Sequence, residues 1–145
     1  MLPTTKFLEG KKGLVVGVAN EHSIAAGCAK AFHASGAQLA ITYQSDRARP
    51  FVEPVVDTVA ADMFMPLDVT NDAQMNAVFE AIREHWGHLD FLLHSIAYCP
   101  RDDLHGRVTD CSREGFATAM NVSVHSLIRL AHLCEPLMKD GGTIL

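Results

Sequence analysis

Short apolar segments alternate with amphipathic segments along this chain, and that alternation constrains the fold more than any other feature. The apolar runs predict four strands and the start of a fifth, at residues 12–18, 38–43, 62–66, 91–95 and 141–145. Strands that are separated by helices form right-handed β-α-β units. The sequence therefore predicts an α/β fold with a doubly wound parallel sheet.

The segments between the strands repeat apolar side chains at helical spacing. They predict helices over residues 24–32, 51–60, 75–86 and 116–131, and a long loop over residues 96–109. Ser23 and Ser112 are placed to cap the first and last of these helices. Gly36 and Gly87 are placed to end the first and the third. Pro54 is expected in the first turn of the second helix, where proline is tolerated.

The segment from Leu14 to Gly27 has the layout of a dinucleotide-binding turn. An apolar run ends at Gly17, crosses a short polar loop and enters a helix of small residues. Glycine permits a sharp turn and a close approach of the backbone to a pyrophosphate. The N–H groups at the start of the helix favour bound negative charge. The full G-x-G-x-x-G pattern is absent, because Val18-Ala19 follows Gly17, so an ordinary strand–loop–helix is the alternative interpretation.

Composition excludes several classes of function. Hydrophobic residues make up 48% and charged residues 20% of the chain, and the net charge is −5. This balance is ordinary for a soluble globular protein and argues against nucleic acid or an acidic membrane surface as a partner. The four cysteines are scattered without a C-x-x-C pair, as is typical of reduced cytoplasmic thiols. We therefore expect a cytoplasmic protein with no secretory signal, membrane span or metal site.

Small and polar residues follow each predicted strand. In an open parallel sheet, ligands bind beyond the carboxyl ends of the strands. Those ends carry residues 17–24, Gln44, Asp68-Val69 and Ser95-Ile96-Ala97. An adenine near Asp68-Val69 needs an acceptor for its amino group, and a nicotinamide ribose near Ala97 needs small side chains. Four suitable strand ends in one chain indicate a dinucleotide site more strongly than the glycine turn does alone.

Together these motifs resemble the bacterial-type enoyl-acyl-carrier-protein reductases, a divergent branch of the short-chain dehydrogenase/reductase superfamily. The segments that carry the resemblance are Gly17-Val18-Ala19 with Ser23-Ile24-Ala25, Thr42-Tyr43-Gln44, Asp68-Val69 and His94-Ser95-Ile96-Ala97. The resemblance implies that residues 1–145 are the N-terminal, cofactor-binding part of a Rossmann-type domain. The activity that it implies is NADH-dependent reduction of a trans-2-enoyl thioester on acyl carrier protein during fatty-acid elongation, performed by a homotetramer.

The resemblance also implies a role for each strand end. The pyrophosphate region is expected at Gly17, Ala19, Ser23 and Ile24, the adenosine ribose at Gln44, the adenine at Asp68 and Val69, and the nicotinamide side at Ser95, Ile96 and Ala97. Family members often have Phe-Ala-Pro after the last segment, where this chain has Tyr98-Cys99-Pro100. Cys99 is therefore expected to face the acyl substrate.

The residues around Gln44 bear on the choice of cofactor. A 2′-phosphate calls for a cationic partner after the second strand, whereas a 2′-hydroxyl needs only a hydrogen-bonding group. Gln44 suits the hydroxyl of NADH. Arg47 and Arg49 lie close enough in sequence to leave NADPH open, although solvated loop charges are the simpler interpretation. We expect a preference for NADH.

The catalytic Tyr–Lys pair that the resemblance implies is not recognised in this chain. The residue four positions after Tyr43 is Arg47, and the residue four positions after Tyr98 is Asp102. Both tyrosines are interpreted as packing residues, and no catalytic residue is assigned. Because the sequence stops as its fifth strand begins, we expect a piece of a longer protein. Two alternatives stay open: another short-chain dehydrogenase acting on an alcohol or ketone, and a truncated, non-catalytic nucleotide-binding module.

Other polar clusters have plainer interpretations. His85, His88 and Asp90 surround a helix end, so a solvated helix terminus is expected rather than a metal site. His94 is interpreted as a hydrogen-bonded core histidine rather than a base. The apolar helix over residues 116–138 either packs on the sheet or meets a second copy of the chain. In the second case the contact is expected to include Ser123, His125 and Ile128.

Overall fold

A computed structural model describes residues 5–145 and contains one parallel five-stranded sheet. The strands are β1 (Lys12–Val16), β2 (Gln38–Tyr43), β3 (Met63–Pro66), β4 (Phe91–His94) and β5 (Thr143–Ile144). They lie in the order β3-β2-β1-β4-β5. This confirms the predicted doubly wound parallel sheet, which is of the Rossmann type.

The centre of the sheet is β1, which pairs with β2 on one side and β4 on the other. Leu14 lies opposite Ala40 of β2 and Leu92 of β4. The chain winds outward from β1 to β3, and then returns to add β4 and β5 on the opposite side. The winding therefore reverses between β1 and β4, and a crevice opens at the carboxyl ends of those two strands.

Helices cover both faces of the sheet. They are α1 (Ile24–Ala34), α2 (Arg49–Thr58), α3 (Asp72–Trp86), α4 (Arg101–Leu104), α5 (Arg113–Met120) and α6 (Ser126–Cys134). Between α5 and α6 lies a π-helical turn, Asn121–His125, and two 3₁₀ turns occupy Val108–Asp110 and Glu135–Leu137. One core layer joins the sheet to α1 and α2, and the other joins it to α3 and α6.

Residue alternation along the strands explains why there are two core layers. Val15 faces the layer of α1 and α2, whereas its neighbours Leu14 and Val16 face the layer of α3 and α6. All three side chains are buried. A strand that is covered on both faces needs an almost continuous apolar run, which is what the sequence shows at β1.

Local capping sets the helix boundaries much as the sequence predicts. The Ser23 side chain accepts a hydrogen bond from the Ala26 N–H at the start of α1, and the Ser112 side chain does the same for Gly115 at the start of α5. Gly87 ends α3 in the left-handed region, at φ 76°. These caps confirm the predicted boundaries at Ser23, Ser112 and Gly87.

Several predicted boundaries were wrong. Strand β1 ends at Val16 rather than residue 18, because the chain turns at Gly17. Helix α2 begins at Arg49, two residues earlier than predicted, which moves Pro54 out of the first turn and into the interior of the helix. The loop predicted over residues 96–109 contains the short helix α4 and the beginning of a 3₁₀ turn.

Among residues 5–145, no helix has both the length and the apolar character needed to cross a membrane.

Candidate functional site

A cleft of about 530 Å³ opens at the carboxyl ends of β1 to β4, where the winding of the sheet reverses. Its volume falls within the roughly 300–1,000 Å³ that is usual for sites that bind small molecules and cofactors. Eight of the eleven site residues expected from the sequence line it: Gly17, Ala19, Gln44, Asp68, Val69, Ser95, Ile96 and Ala97. The remaining three, Ser23, Ile24 and Cys99, are not among its lining residues.

Gly17 forms the floor of the cleft between β1 and β4. Its φ of 106° lies in the region that side-chain-bearing residues rarely adopt. A Cβ atom at this position would lie 2.0 Å from the Ser95 carbonyl oxygen. The Ser95 N–H donates to the Val16 carbonyl at 2.9 Å, which fixes the two strand ends against each other. Glycine is therefore required here by the neighbouring backbone as well as by the turn.

The loop that leads from the cleft residues Gly17 and Ala19 into α1 is ordered by local hydrogen bonds. The Ser23 hydroxyl donates to the Asn20 carbonyl at 2.7 Å and accepts from the Ala26 N–H at 3.3 Å. The Asn20 side chain in turn accepts from the His22 N–H at 2.9 Å. Ile24 is 81% exposed. These contacts order the loop that leads from Gly17 into the helix, and they leave Ser23 acting as a cap.

Asp68 has one carboxylate oxygen committed to its own loop. Its Oδ1 accepts from the Thr70 N–H at 2.9 Å and from the Thr70 hydroxyl at 2.7 Å. The Asp68 N–H donates to the Gln74 side chain at 2.7 Å. The other carboxylate oxygen takes part in none of these bonds. This arrangement holds the carboxylate at the cleft with an acceptor that suits an exocyclic amino group.

The loop around Asp68 is also tied to α6. The Arg129 guanidinium donates to the Val69 carbonyl at 3.3 Å and forms an ion pair with Asp72 at the start of α3. Val69 is buried. Helices α3 and α6 therefore hold the end of β3 in place from one face of the sheet.

The two arginines near Gln44 are exposed, and Arg49 has partners outside the cleft. The Arg49 guanidinium pairs with Glu53 one turn along α2, at 3.0 Å. It also lies 5.6 Å from the ring centres of Tyr43 and Phe64. Gln44 lines the cleft, whereas the side chains of Arg47 and Arg49 do not. Among residues 5–145, the cleft lining therefore carries no arginine beside Gln44.

His94, the last residue of β4, is part of a hydrogen-bonded chain. Its Nε2 lies 2.7 Å from the Ser126 hydroxyl, which donates to the Val122 carbonyl at 2.6 Å. Because the hydroxyl has one proton and gives it to Val122, the imidazole must donate to Ser126. Burial lowers the pKa of His94, which favours the neutral ring. The predicted hydrogen bond is confirmed, but the ring is half-buried at the end of β4 and belongs to neither core layer.

Part of the cleft is formed by α5 and the π-helical turn, and the pattern of residues at the strand ends did not predict it. Thr118 of α5 and Val122 of the π-helical turn line the cleft, as does Tyr98 after β4. No periodicity or motif marks Thr118 or Val122. They reach the site because the helix lies against the segment that follows β4, where Ser123 bonds the Tyr98 backbone. Local sequence patterns do not encode such a tertiary contact.

The two tyrosines and the polar group at the end of α3 lie in different surroundings. Tyr43 is buried, and its ring lies 4.7 Å from that of Phe64, whereas Tyr98 is 53% exposed beside the cleft. Asp90 accepts a hydrogen bond from the Lys12 N–H at 2.8 Å and pairs with His88 at 3.4 Å. Across residues 5–145 there is no group of three or more potential ligands able to hold a metal ion.

Comparison with known proteins identifies relatives over almost the whole chain. A family model described as enoyl-(acyl carrier protein) reductase matches residues 17–145. The curated NADH-dependent enoyl-acyl-carrier-protein reductase of Nostoc sp. is 45% identical over 95% of this chain, which corresponds to 55% of that protein. Its counterpart in Aquifex aeolicus is 46% identical over 96% of this chain and 52% of its own length.

A solved structure has the same fold. The enoyl-acyl-carrier-protein reductase of Anaplasma phagocytophilum, crystallised in complex with NAD, superposes with a TM-score of 0.93 at 38% identity. The match covers 99% of this chain and 55% of that one. The chain spans about half the length of the relatives that it matches.

Proposed function

The chain belongs to the enoyl-(acyl carrier protein) reductase family, and from this premise we propose that it forms the dinucleotide-binding half of an NADH-dependent enzyme. That enzyme reduces a trans-2-enoyl thioester carried by acyl carrier protein during fatty-acid elongation. Residues 1–145 are proposed as the N-terminal part of a dinucleotide-binding, Rossmann-type domain. The observation that carries the proposal is the convergence of four separate strand ends on a single cleft.

The residues that line the cleft have the chemistry that a dinucleotide requires. Asp68 offers a carboxylate oxygen to the adenine amino group at one end, and the small residue Ala97 permits close approach at the other. The turn at Gly17, which lines the cleft, and the start of α1 are proposed to supply backbone N–H groups for a pyrophosphate. We propose that Ala19, Ser23 and Ile24 contribute to this pyrophosphate region, with Ser23 acting by capping the helix.

The nicotinamide side is assigned to the segment after β4. When bound, NADH supplies the hydride for the β-carbon of the enoyl thioester. Ser95, Ile96 and Ala97 hold the nicotinamide side, and Val69 lies with Asp68 at the adenine. Cys99 is proposed to face the acyl chain, although it is half-buried outside the cleft lining. No residue of this chain is proposed as the catalytic acid, because Tyr43 is buried in the core and Tyr98 is not followed by a suitably spaced lysine.

The cofactor is proposed to be NADH rather than NADPH. Gln44 lines the cleft where the adenosine ribose would lie, and an amide suits a ribose hydroxyl. Arg49 is held by Glu53 and by two aromatic rings, so it is not poised to bind a 2′-phosphate. The relatives from Nostoc sp. and Aquifex aeolicus are named as NADH-dependent enzymes, which supports this choice.

A homotetramer in the cytoplasm is proposed as the working state. An exposed apolar stripe runs along one side of α5, the π-helical turn and α6, and its members are Phe116, Met120, Val124 and Ile128. Such a stripe is suited to a contact with a second copy of the chain. All four cysteines are unpaired, which supports a reducing compartment.

The activity is tested with the full-length protein and two classes of substrate. We expect kcat/KM for reduction of a crotonyl thioester by NADH to be at least about tenfold higher than kcat/KM for reduction of a ketone. The ratio of these two values measures the preference of the enzyme for one substrate over the other. Equilibrium binding should give a lower dissociation constant for NADH than for NADPH. Faster ketone reduction would instead assign a short-chain dehydrogenase of alcohols or ketones. Binding of NADH without any reduction would assign a non-catalytic nucleotide-binding module.

A further inference from the structure

Ser123 holds both polar atoms of the Tyr98 backbone. Its hydroxyl oxygen accepts from the Tyr98 N–H at 2.9 Å, and its proton is donated to the Tyr98 carbonyl at 3.1 Å. A serine hydroxyl can make this pair of bonds at once, since it has one donor and two acceptor lone pairs. The position of Tyr98 is therefore set by a side chain from a different element, 25 residues further along the chain.

A second serine of the same helix fixes the other end of this segment. Ser126 bonds the His94 side chain, while Ser123 bonds the Tyr98 backbone. Residues 95–97 lie between these two attachment points and line the cleft. Residues 95–97, which are proposed to hold the nicotinamide side, are thus held at both ends by serines that are three residues apart. We call this pair the serine clamp.

The π-helical turn lies at the serine clamp. Residues Asn121–His125 form a wider turn than an α-helix, and such turns are rare and frequent at functional sites. Ser123 is the central residue of the turn, and Val122 in the same turn lines the cleft. If the chain were a regular α-helix from Arg113 to Cys134, the side chains after His125 would point in a different direction around the helix axis.

Holding the Tyr98 backbone also orients its neighbours. In a trans peptide the carbonyl lies opposite the N–H. With the Tyr98 N–H directed at Ser123, the Ala97 carbonyl points away from the helix. With the Tyr98 carbonyl directed at Ser123, the Cys99 N–H also points away. Two consecutive peptide planes, between Ala97 and Cys99, are thereby fixed relative to the cleft.

We propose that Ser123 is a positioning residue, which sets Ala97 against the nicotinamide and Cys99 against the acyl thioester through the Tyr98 backbone. This inference rests on the proposed function. It predicts that loss of the Ser123 hydroxyl impairs the chemical step more than cofactor binding, because the adenine contacts at Asp68 lie at the opposite end of the site. Misplacement of reacting groups by about 1 Å can cost about a hundredfold in rate.

The test compares Ser123→Ala with Ser123→Thr in the full-length protein. For S123A we expect kcat for crotonyl-thioester reduction to fall between about ten- and a hundredfold, while the NADH dissociation constant changes by less than about threefold. S123T keeps the hydroxyl and should retain most of the kcat. Amide hydrogen exchange at Tyr98 should accelerate in S123A and stay close to the wild-type rate in S123T. The matched control is Ser35→Ala, which removes a serine hydroxyl bonded to the Ala31 carbonyl of α1.

The outcomes separate this inference from the proposed function. Wild-type kcat and unaltered Tyr98 exchange in S123A would overturn the positioning role. A parallel loss of kcat, NADH affinity and thermal stability would also overturn it, because it would show a general structural role. If S123A does not fold, Ser123→Cys replaces it, since a thiol is of similar size and bonds weakly. Absence of enoyl reduction in the wild-type protein would refute the proposed function, and with it this inference.

Discussion

Gly17 shows at the scale of one residue how the sheet and the cofactor site depend on each other. Its positive φ and the 2.0 Å from a hypothetical Cβ to the Ser95 carbonyl leave no room for a side chain. The sequence predicted a glycine needed for a turn and for close approach of a pyrophosphate. The structure adds a reason that the sequence does not contain. Ser95 follows β4, 78 residues further along the chain, and the parallel pairing of β1 with β4 brings it to Gly17.

Gly17→Ala is expected to destabilise the fold and to abolish NADH binding. The strained φ alone costs on the order of 1–3 kcal/mol, and relief of the contact with Ser95 must separate the ends of β1 and β4. The measurement is the free energy of unfolding in urea, together with the NADH dissociation constant.

Gly27→Ala is the matched control for this prediction. Gly27 lies within α1, and a Cβ at that position meets no atom within 4 Å. Alanine in a helix interior is favoured over glycine by roughly 0.5–1 kcal/mol, so this variant should be slightly more stable than the wild type. A G17A protein as stable as G27A would contradict the role assigned to Gly17.

At the scale of elements, His94 and Ser126 join the end of β4 to α6. Because burial lowers the pKa of His94, the unfolded chain takes up a proton at a higher pH than the folded one. Stability is therefore expected to fall as the pH drops below the unfolded value of about 6.5. The loss continues until the pH reaches the lower pKa of the folded state.

His94→Gln should remove this acid-sensitive part of the stability. Glutamine can still donate an N–H toward Ser126 but does not titrate. Urea unfolding at about pH 7.5 and about pH 5.5 should show a smaller difference for H94Q than for the wild type. His105→Gln, at an exposed histidine, is the control and should keep the wild-type difference. An unchanged pH dependence in H94Q would show that His94 does not carry the effect.

Elements differ in how far the sequence could predict them. Strand β2, the start of α1 and the end of α3 were predictable, because an apolar run and capping residues such as Ser23 and Gly87 act locally. The π-helical turn was not, since no residue type in Asn121–His125 signals a wider turn. For the same reason Thr118 and Val122 were missed as cleft residues. The rule that ligands bind at the carboxyl ends of parallel strands predicts the site residues that come from the sheet. It does not predict the residues that a neighbouring helix contributes.

At the scale of the whole molecule, the apolar stripe on α5 and α6 predicts self-association. Phe116 and Ile128 are 60% and 59% exposed and belong to the same apolar stripe. A grouped apolar surface of this kind marks an interaction site more than a single exposed side chain does. Ile128→Glu should convert the proposed tetramer to smaller species, because a buried carboxylate without a partner is strongly unfavourable. The measurement is the molar mass of the full-length protein by light scattering.

The control for the self-association prediction is Phe51→Glu. Phe51 on α2 is 63% exposed and lies outside the stripe. This variant should keep the wild-type mass. Dissociation of F51E, or an unchanged mass for I128E, would assign the contact to another surface and leave the stripe without the role proposed here.

A crystal structure of the full-length protein with NADH would show where the dinucleotide lies. We expect the adenine amino group within hydrogen-bonding distance of the Asp68 carboxylate, the pyrophosphate at the Gly17 turn and the nicotinamide beside Ala97. A second cavity, of about 990 Å³, lies at the opposite end of the sheet and is lined in part by Lys11, Asp90 and Thr143. NADH bound there, or bound in the first cleft with adenine and nicotinamide exchanged, would contradict the account.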